Sequence, residues 1–175
     1  MKCFKCKKET ELEIHHLGII CSFCFEEVIE KRVRKEIKDF GWLKKDDLVV
    51  ILNDGSPEAA MSEYLIKTVV KGLPFTVEKK KDLQDIPLNA KIVLPWSAEK
   101  ESNDTLLNLF NNKLEVNNKF LKLLQSISEE EIDAFCKIKN LSGTRKPAKD
   151  LLAKFEKRYP GTRVAFLKGI KEFIS

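Results

Sequence analysis

The stretch DDLVVILNDGSPEAAMSEYL, residues 46–65, decides the fold. Leu48 to Leu52 is a continuous apolar run, the kind buried on both faces of a parallel sheet. It runs into a polar turn with one glycine, Gly55. Beyond the turn, Ala60, Met61, Tyr64, Leu65, Thr68 and Val69 recur at helical spacing. Strand, glycine turn and helix is the layout of a loop that cradles phosphate on the N–H groups of a helix N-terminus. This turn, however, carries Asp54, Pro57 and Glu58. A carboxylate about 4 Å from a phosphate charge repels it by roughly 4 kcal/mol at an effective dielectric of about 20. Pro57 also lacks an N–H where such loops aim their donors.

Downstream, LPFTVEKK and AKIVLPW read as two more strands, and ESNDTLLNLFNN as a helix. The order strand, helix, strand, strand, helix predicts an α/β domain with a small parallel sheet. Only about ten residues separate the second and third strands, too few for a crossover helix. Ser128 and Glu131 form a capping box that opens SEEEIDAFCKIKN. Ile132, Phe135 and Cys136 share a face of that helix, so Cys136 reads as a core thiol, with a lone reactive thiol as the alternative. Leu151, Leu152 and Phe155 mark another helix, stopped by YPG, and VAFLKGIKEFI follows as an amphipathic segment.

Upstream, residues 1–25 hold four of the five cysteines as Cys3/Cys6 and Cys21/Cys24. Two CxxC pairs joined by a short hairpin direct four thiolates at one ion and complete a tetrahedron. A closed four-thiolate site leaves no position for water, which marks a structural zinc. Iron accepts the same donors. His15 and His16 lie between the pairs as further possible ligands, or as plain hairpin packing. Glu26 to Phe40 reads as a helix, with Ile29, Val33, Ile37 and Phe40 on one stripe, Lys31, Arg34, Lys35 and Lys38 on another, and Gly41 as its stop.

The net charge of +5 is unevenly placed: Thr144 to Lys171 holds nine Lys/Arg against two Asp/Glu. Arg145, Lys146, Lys149 and Arg158 in this segment, with the basic stripe of the first helix, are candidate RNA contacts; a solvated surface is the alternative. No run approaches the ~18 uncharged residues of a membrane span, and MKCFKCKKET is no secretory leader. A soluble cytoplasmic protein without a membrane partner is expected.

These features together resemble the PP-loop ATPases that thiolate tRNA, the two-thiouridine synthetases of archaea and the eukaryotic cytoplasm. A cysteine ribbon, then CFEEVIEKRVRKEIKDFGWLKKDDLVVIL, then a loop at a strand end follow the family order. PWSAEKESNDTLLNLF, with Asn108 and Leu109, stands where the family has G-H-N-x-D-D and a helix with N-L. LAKFEKRYPGTRVAFLKGI looks like the family's C-terminal helices. On the family loop S-G-G-x-D-S this chain has Asp54, Gly55, Ser56, Pro57, Glu58 and Ala59, and Pro95, Trp96 and Ser97 replace Gly-His-Asn.

The resemblance therefore implies a reduced PP-loop (HUP-like) α/β domain with a parallel sheet, an N-terminal four-cysteine zinc ribbon and C-terminal helices. The expected segments are the ribbon (1–25), a basic linker helix (26–45), the degenerate PP-loop-like domain (46–118) and a C-terminal helical segment (119–175). With the nucleotide motifs altered and only Cys136 left outside the ribbon, neither ATP nor an iron–sulfur cluster is expected, and no catalytic residue is assigned. The pattern looks like the degenerate second subunit of the cytoplasmic tRNA two-thiolation complex, whose partners would be a catalytic PP-loop thiolase paralogue and tRNA. Two alternatives stay open. One is a small sulfurtransferase in which Asp54, Ser56 and Glu58 hold Mg²⁺ and Cys136 carries sulfur. The other is a zinc-ribbon regulator that binds protein or nucleic acid. Trp96 is a candidate partner anchor, or else a filler of the vacated nucleotide pocket.

Overall fold

A computed structural model describes residues 1–39, 41, 43–70, 76–84, 86–111, 120–146 and 150–174. Phe40, expected to end the apolar stripe of the first helix, and Lys149 lie outside these residues. The chain opens with a hairpin, β1 (Glu13–Ile14) and β2 (Gly18–Ile19), in which Gly18 takes the left-handed conformation that the turn demands (φ +73°). Helix α1 (Ser22–Asp39) starts at the second cysteine pair, four residues before the start expected from its stripe. It buries Cys24, Phe25, Ile29 and Val33 and exposes Lys31, Arg34, Lys35 and Lys38 on the opposite side. The two stripes legible in its sequence are thus its core face and its solvent face.

The sheet has the order β4-β3-β5-β6, every neighbouring pair parallel, from β3 (Leu48–Leu52), β4 (Thr76–Lys80), β5 (Lys91–Val93) and β6 (Phe120–Leu121). Helix α2 (Pro57–Val69) connects β3 to β4, and α3 (Ala98–Phe110) lies between β5 and β6. Residues 81–84 and 86–90, between β4 and β5, form bends and turns without a helix, as their length requires. Strand β6 is an addition to the three expected from the sequence. From β3 and β5 the chain moves outward in opposite directions, so right-handed crossovers place α2 and α3 on opposite faces. In keeping with this, α2 packs on α1 and α4 (Glu129–Lys139), whereas α3 packs on α6 (Thr162–Ile174), reached through the short α5 (Ala153–Arg158). No helix among the described residues is long and apolar enough to cross a membrane.

One hydrophobic cluster joins the ribbon, α1, α2, α4 and the sheet. Ile14 and Ile20 of the ribbon, Phe25, Ile29 and Val33 of α1, Val49 and Ile51 of β3, Leu65 of α2, and Ile132 and Phe135 of α4 are fully or almost fully buried within it. The hairpin tip is locked to α4 by polar contacts. The His16 imidazole lies 3.3 Å from the buried Glu131 carboxylate, Arg32 of α1 reaches the same oxygen at 2.8 Å, and the His15 amide donates to Glu130. Glu131 also completes the expected capping box by accepting from the Ser128 backbone N–H.

Glu131 raises the His16 pKa above its ordinary 6.5. The stabilisation from protonated His16 is therefore complete below that value and disappears as pH rises through the higher folded pKa. Burial pushes Glu131 up, but His16 and Arg32 outweigh it and hold the carboxyl below its usual range, so the acid side fails only as pH falls through that lowered value. We expect His16→Gln to cost about 1–2 kcal/mol at pH 6 and markedly less at pH 9. Urea denaturation at the two pH values checks this; equal losses at both would show that the imidazolium is not the stabilising species.

Candidate functional site

Two constellations carry chemistry. The first is the thiolate centre. Cys3, Cys6, Cys21 and Cys24 place all four sulfurs within 4.8 Å of one another, with Cys6 and Cys21 at 3.5 Å. A tetrahedron with metal–sulfur bonds of about 2.3 Å has sulfur–sulfur edges of about 3.8 Å, so the arrangement fits a bound metal centre. The first pair is shaped by a tight turn in which the Lys7 N–H donates to the Cys3 carbonyl at 2.9 Å and Lys7 itself has φ +65°. Burial pushes the Cys3 thiol up, but backbone N–H groups at Cys6, Cys21 and Lys5 outweigh it and hold it at about 6. Burial and the three neighbouring sulfurs push Cys24 up to about 12. Cys24 therefore keeps its proton until a cation joins the four sulfurs, and a metal removes that obstacle. By donor type four thiolates suit a single tetrahedral ion and an iron–sulfur cluster alike, while a span of 4.8 Å matches the single ion more closely. His15 and His16, weighed as further ligands, are not in the cluster; both face α4.

The second constellation is the crevice between β3 and β5, the point where strand order reverses and where α/β sheets take their ligands. Its loop is satisfied from within. The Gly55 N–H donates to Asn53 Oδ1 (3.1 Å), the Ser56 N–H to Asp54 Oδ1 (3.0 Å), and the Ala59 N–H to Ser56 Oγ (3.3 Å). Gly55 turns the chain at φ +79°, and Pro57 occupies the first helical position, where no N–H is needed. Residues 141–146 then lie across the loop as a strap. The Thr144 N–H donates to the Gly55 carbonyl (2.9 Å), and Gly143 sits so close that a Cβ there would be 2.5 Å from the Pro57 nitrogen.

The crevice floor is ionic. Glu58, read from the sequence as a carboxylate of the degenerate loop and, in the sulfurtransferase alternative, as a Mg²⁺ ligand, is fully buried in the first turn of α2. Arg145 Nε binds it at 2.8 Å and Lys100 Nζ approaches it at 3.5 Å while donating to the Pro95 carbonyl at 2.8 Å. Arg145 also pairs with Asp133 (2.9 Å) and lies 3.7 Å from Glu129. The expectation that Arg145 contacts RNA is therefore corrected: its guanidinium is taken up by three carboxylates inside the fold. Arg163, counted in the basic C-terminal surplus, is likewise buried and held by Glu99, Asp150 and Ser102. Burial pushes Glu99 and Glu129 above their ordinary values, against the pull of Arg163 and Arg145 respectively.

Trp96 is half-buried. Its indole N–H donates to Glu101 (2.6 Å), and Lys122 sits 4.6 Å from the ring centre, so the side chain is engaged within its own chain. Cys136 is buried, donates to the Pro57 carbonyl at 3.6 Å, and is pushed up to about 11 by burial, which makes it an inert core thiol. Lys31, Arg34, Lys35, Lys38, Lys146 and Arg158 are exposed; Arg34 pairs with Glu30, and Arg158 lies over the Tyr159 ring. Lys100, Glu129 and Asp133 had no signal in the sequence, because their ion-pair partners lie well beyond helical spacing and on other elements.

No protein-family model matches the chain. Over 68 residues, 38% of this chain, it is 29% identical to the tRNA-5-methyluridine(54) 2-sulfurtransferase of Pyrococcus horikoshii. Over the same length it is 32% identical to the enzyme of that name from Thermotoga maritima. The match spans 22% of each of these relatives, so they share a segment with the chain and not their whole length. In three dimensions the chain superposes on the U34-tRNA thiolase NcsA of Methanococcus maripaludis, a structure with its [4Fe-4S] cluster. The TM-score is 0.73 at 15% identity, covering 99% of this chain and 87% of the thiolase.

The chain thus has the α/β fold of a PP-loop thiolase. The same finding overturns the expectation of no iron–sulfur cluster. That expectation counted cysteines only in the α/β domain and set the N-terminal four aside as a zinc site; a protein of this fold carries a [4Fe-4S] cluster, and these four thiolates are a competent donor set.

Cys24→Ser should reduce bound metal to background and release the hairpin from α4, read by elemental analysis for zinc, iron and sulfide together with amide exchange at residues 13–20. At the crevice, Arg145→Ala should cost about 3 kcal/mol because it strands a buried carboxylate. Adding Glu58→Gln should recover much of that loss. A double variant no more stable than Arg145→Ala would refute the pairing.

Proposed function

We propose that this protein is a non-enzymatic accessory subunit in tRNA wobble-uridine 2-thiolation, docking on a catalytic PP-loop thiolase and helping to hold tRNA. The observation that carries this reading is the occupied crevice. The loop that would present N–H groups to phosphate spends those of Gly55, Ser56 and Ala59 on its own side chains, and the strap with Arg145 and Glu58 fills the space beside it. A chain that keeps the thiolase fold while occupying its ligand crevice acts by contact. The thiolate centre holds the ribbon in shape against α4, and the exposed cations of α1 supply phosphate contacts, which orient an RNA without reading its sequence.

Affinity capture of the metal-bearing protein from its native cell tests the reading: a PP-loop thiolase and tRNA should co-purify. Mg-ATP binding in the low micromolar range, with sulfur transfer by the chain alone, would overturn it in favour of a sulfurtransferase. Reversing Lys31, Arg34, Lys35 and Lys38 to Glu should weaken tRNA binding more than tenfold and flatten its salt dependence, because each lost phosphate contact removes about 0.9 from the slope of log K against log salt. Unchanged affinity would remove α1 from the RNA surface.

A further inference from the structure

The exposed stripe of α1 does not end with its cations. At helical spacing, Lys38, Arg34, Lys31 and Glu27 lead back to Phe23, which is 70% exposed, one residue before the metal-site Cys24. Lys5 of the first cysteine turn pairs with Glu27 at 2.5 Å, and this brings Phe4, 51% exposed, alongside the same end of the stripe. Lys7 stands next to Phe4, donating to its carbonyl at 3.1 Å. Two large aromatic rings thus face solvent at the tips of the two cysteine turns. Each is fixed by a backbone that the thiolate centre pins; Lys5 and Lys7 flank Phe4 in sequence, and Lys31, Arg34 and Lys38 continue the helix face that starts at Phe23. Of the acidic residues along this face, Glu27 and Glu30 are occupied by Lys5 and Arg34 and Asp39 is exposed at its far end, four residues beyond Lys35; no ion pair engages Lys31, Lys35 or Lys38 among the described residues.

Neither ring serves the core: Phe25, the inward neighbour of Phe23, is fully buried there instead. An exposed phenyl ring costs solubility, and a pair of them at the end of a row of lysines matches the chemistry of a nucleic-acid strand, whose phosphates follow the cations while an unstacked base lies on a ring. A protein partner for the same rings would be favoured by an apolar surround; here Lys5 and Lys7 flank Phe4 and a row of lysine and arginine runs on from Phe23.

We propose that Phe4 and Phe23 form a stacking platform for unpaired bases of RNA, with Lys31, Lys35 and Lys38 tracking the adjoining phosphates. The proposal rests on the RNA role above and adds to it the form of RNA preferred, single-stranded over duplex, and the side chains that make the choice. Base stacking releases no counterions, so the aromatic and cationic parts have separable signatures.

The test uses the full, metal-bearing chain, a labelled single-stranded uridine 12-mer, and an RNA duplex of comparable charge. Phe4→Ala with Phe23→Ala should weaken binding of the single strand about tenfold or more, leave its salt slope unchanged, and leave duplex binding and metal content as in the wild type. Phe23→Trp should retain affinity, with tryptophan emission quenched on binding. Leu107→Ala with Phe110→Ala, exposed apolar residues of α3, serves as the off-site control and should change nothing. Wild-type affinity in the double Phe variant would overturn the platform while leaving the RNA role intact. So would an equal loss for single strand and duplex, or loss of thiolase capture with RNA binding preserved. Binding of neither RNA by the wild-type chain would overturn the platform and the RNA role together.

Discussion

Everything else in this molecule hangs on one desolvated carboxylate. Glu131 is 1% exposed and receives three elements at once: His16 from the ribbon hairpin, Arg32 from the long first helix, and the backbone of Ser128 at the start of its own helix. A buried carboxylate without partners would be several kcal/mol unfavourable, so each partner is under pressure to stay. Hydrophobic burial supplies most of the free energy, but it is non-directional. The carboxylate supplies direction, setting the angle at which the small ribbon meets the α/β body. Nearby, the Lys139–Glu26 pair at 2.6 Å adds a second strut between α4 and α1. The ribbon is consequently part of the domain's own core.

Local chemistry was legible in the sequence and distant chemistry was not. The apolar run at Leu48–Leu52, the stripe through Ile29 and Val33, and the capping box at Ser128 are all encoded within a few residues, and each appears where it was expected. The four cysteines were legible for the same reason, since CxxC spacing fixes the local geometry of each pair. Strand β6 was missed because its two residues, Phe120 and Leu121, carry no periodicity and gain strand geometry only from β5.

The misread side chains share one cause. Glu58 and Arg145 are 87 residues apart, and each looks like a surface charge until the fold brings them together. A charged residue in a basic or polar stretch says nothing by itself about which way it points. The nine cations of the C-terminal segment are therefore not one surface: Arg145 and Arg163 are structural, while Lys146 and Arg158 face solvent. On α1 the opposite holds, because its basic and apolar stripes lie on opposite sides of one regular helix. Amphipathic periodicity gives orientation, whereas bulk charge gives only a total.

The strap across the crevice also bears on biosynthesis. Its backbone joins residues 143 and 144 to residues 55–57 and its Arg145 side chain reaches Glu58, so the loop is sealed by a part of the chain that leaves the ribosome long after the sheet's first strand and helix. Until then Glu58 has, among the described residues, only Lys100 as a cationic partner, and the Gly55 carbonyl has no strap amide to accept from. A nascent chain from which residues 143–145 had not yet emerged would thus hold an open crevice with an ill-neutralised carboxylate, and the arrival of those residues would close it. The pocket at the strand switch point is then open to small molecules and chaperones during synthesis, and shut in the finished protein.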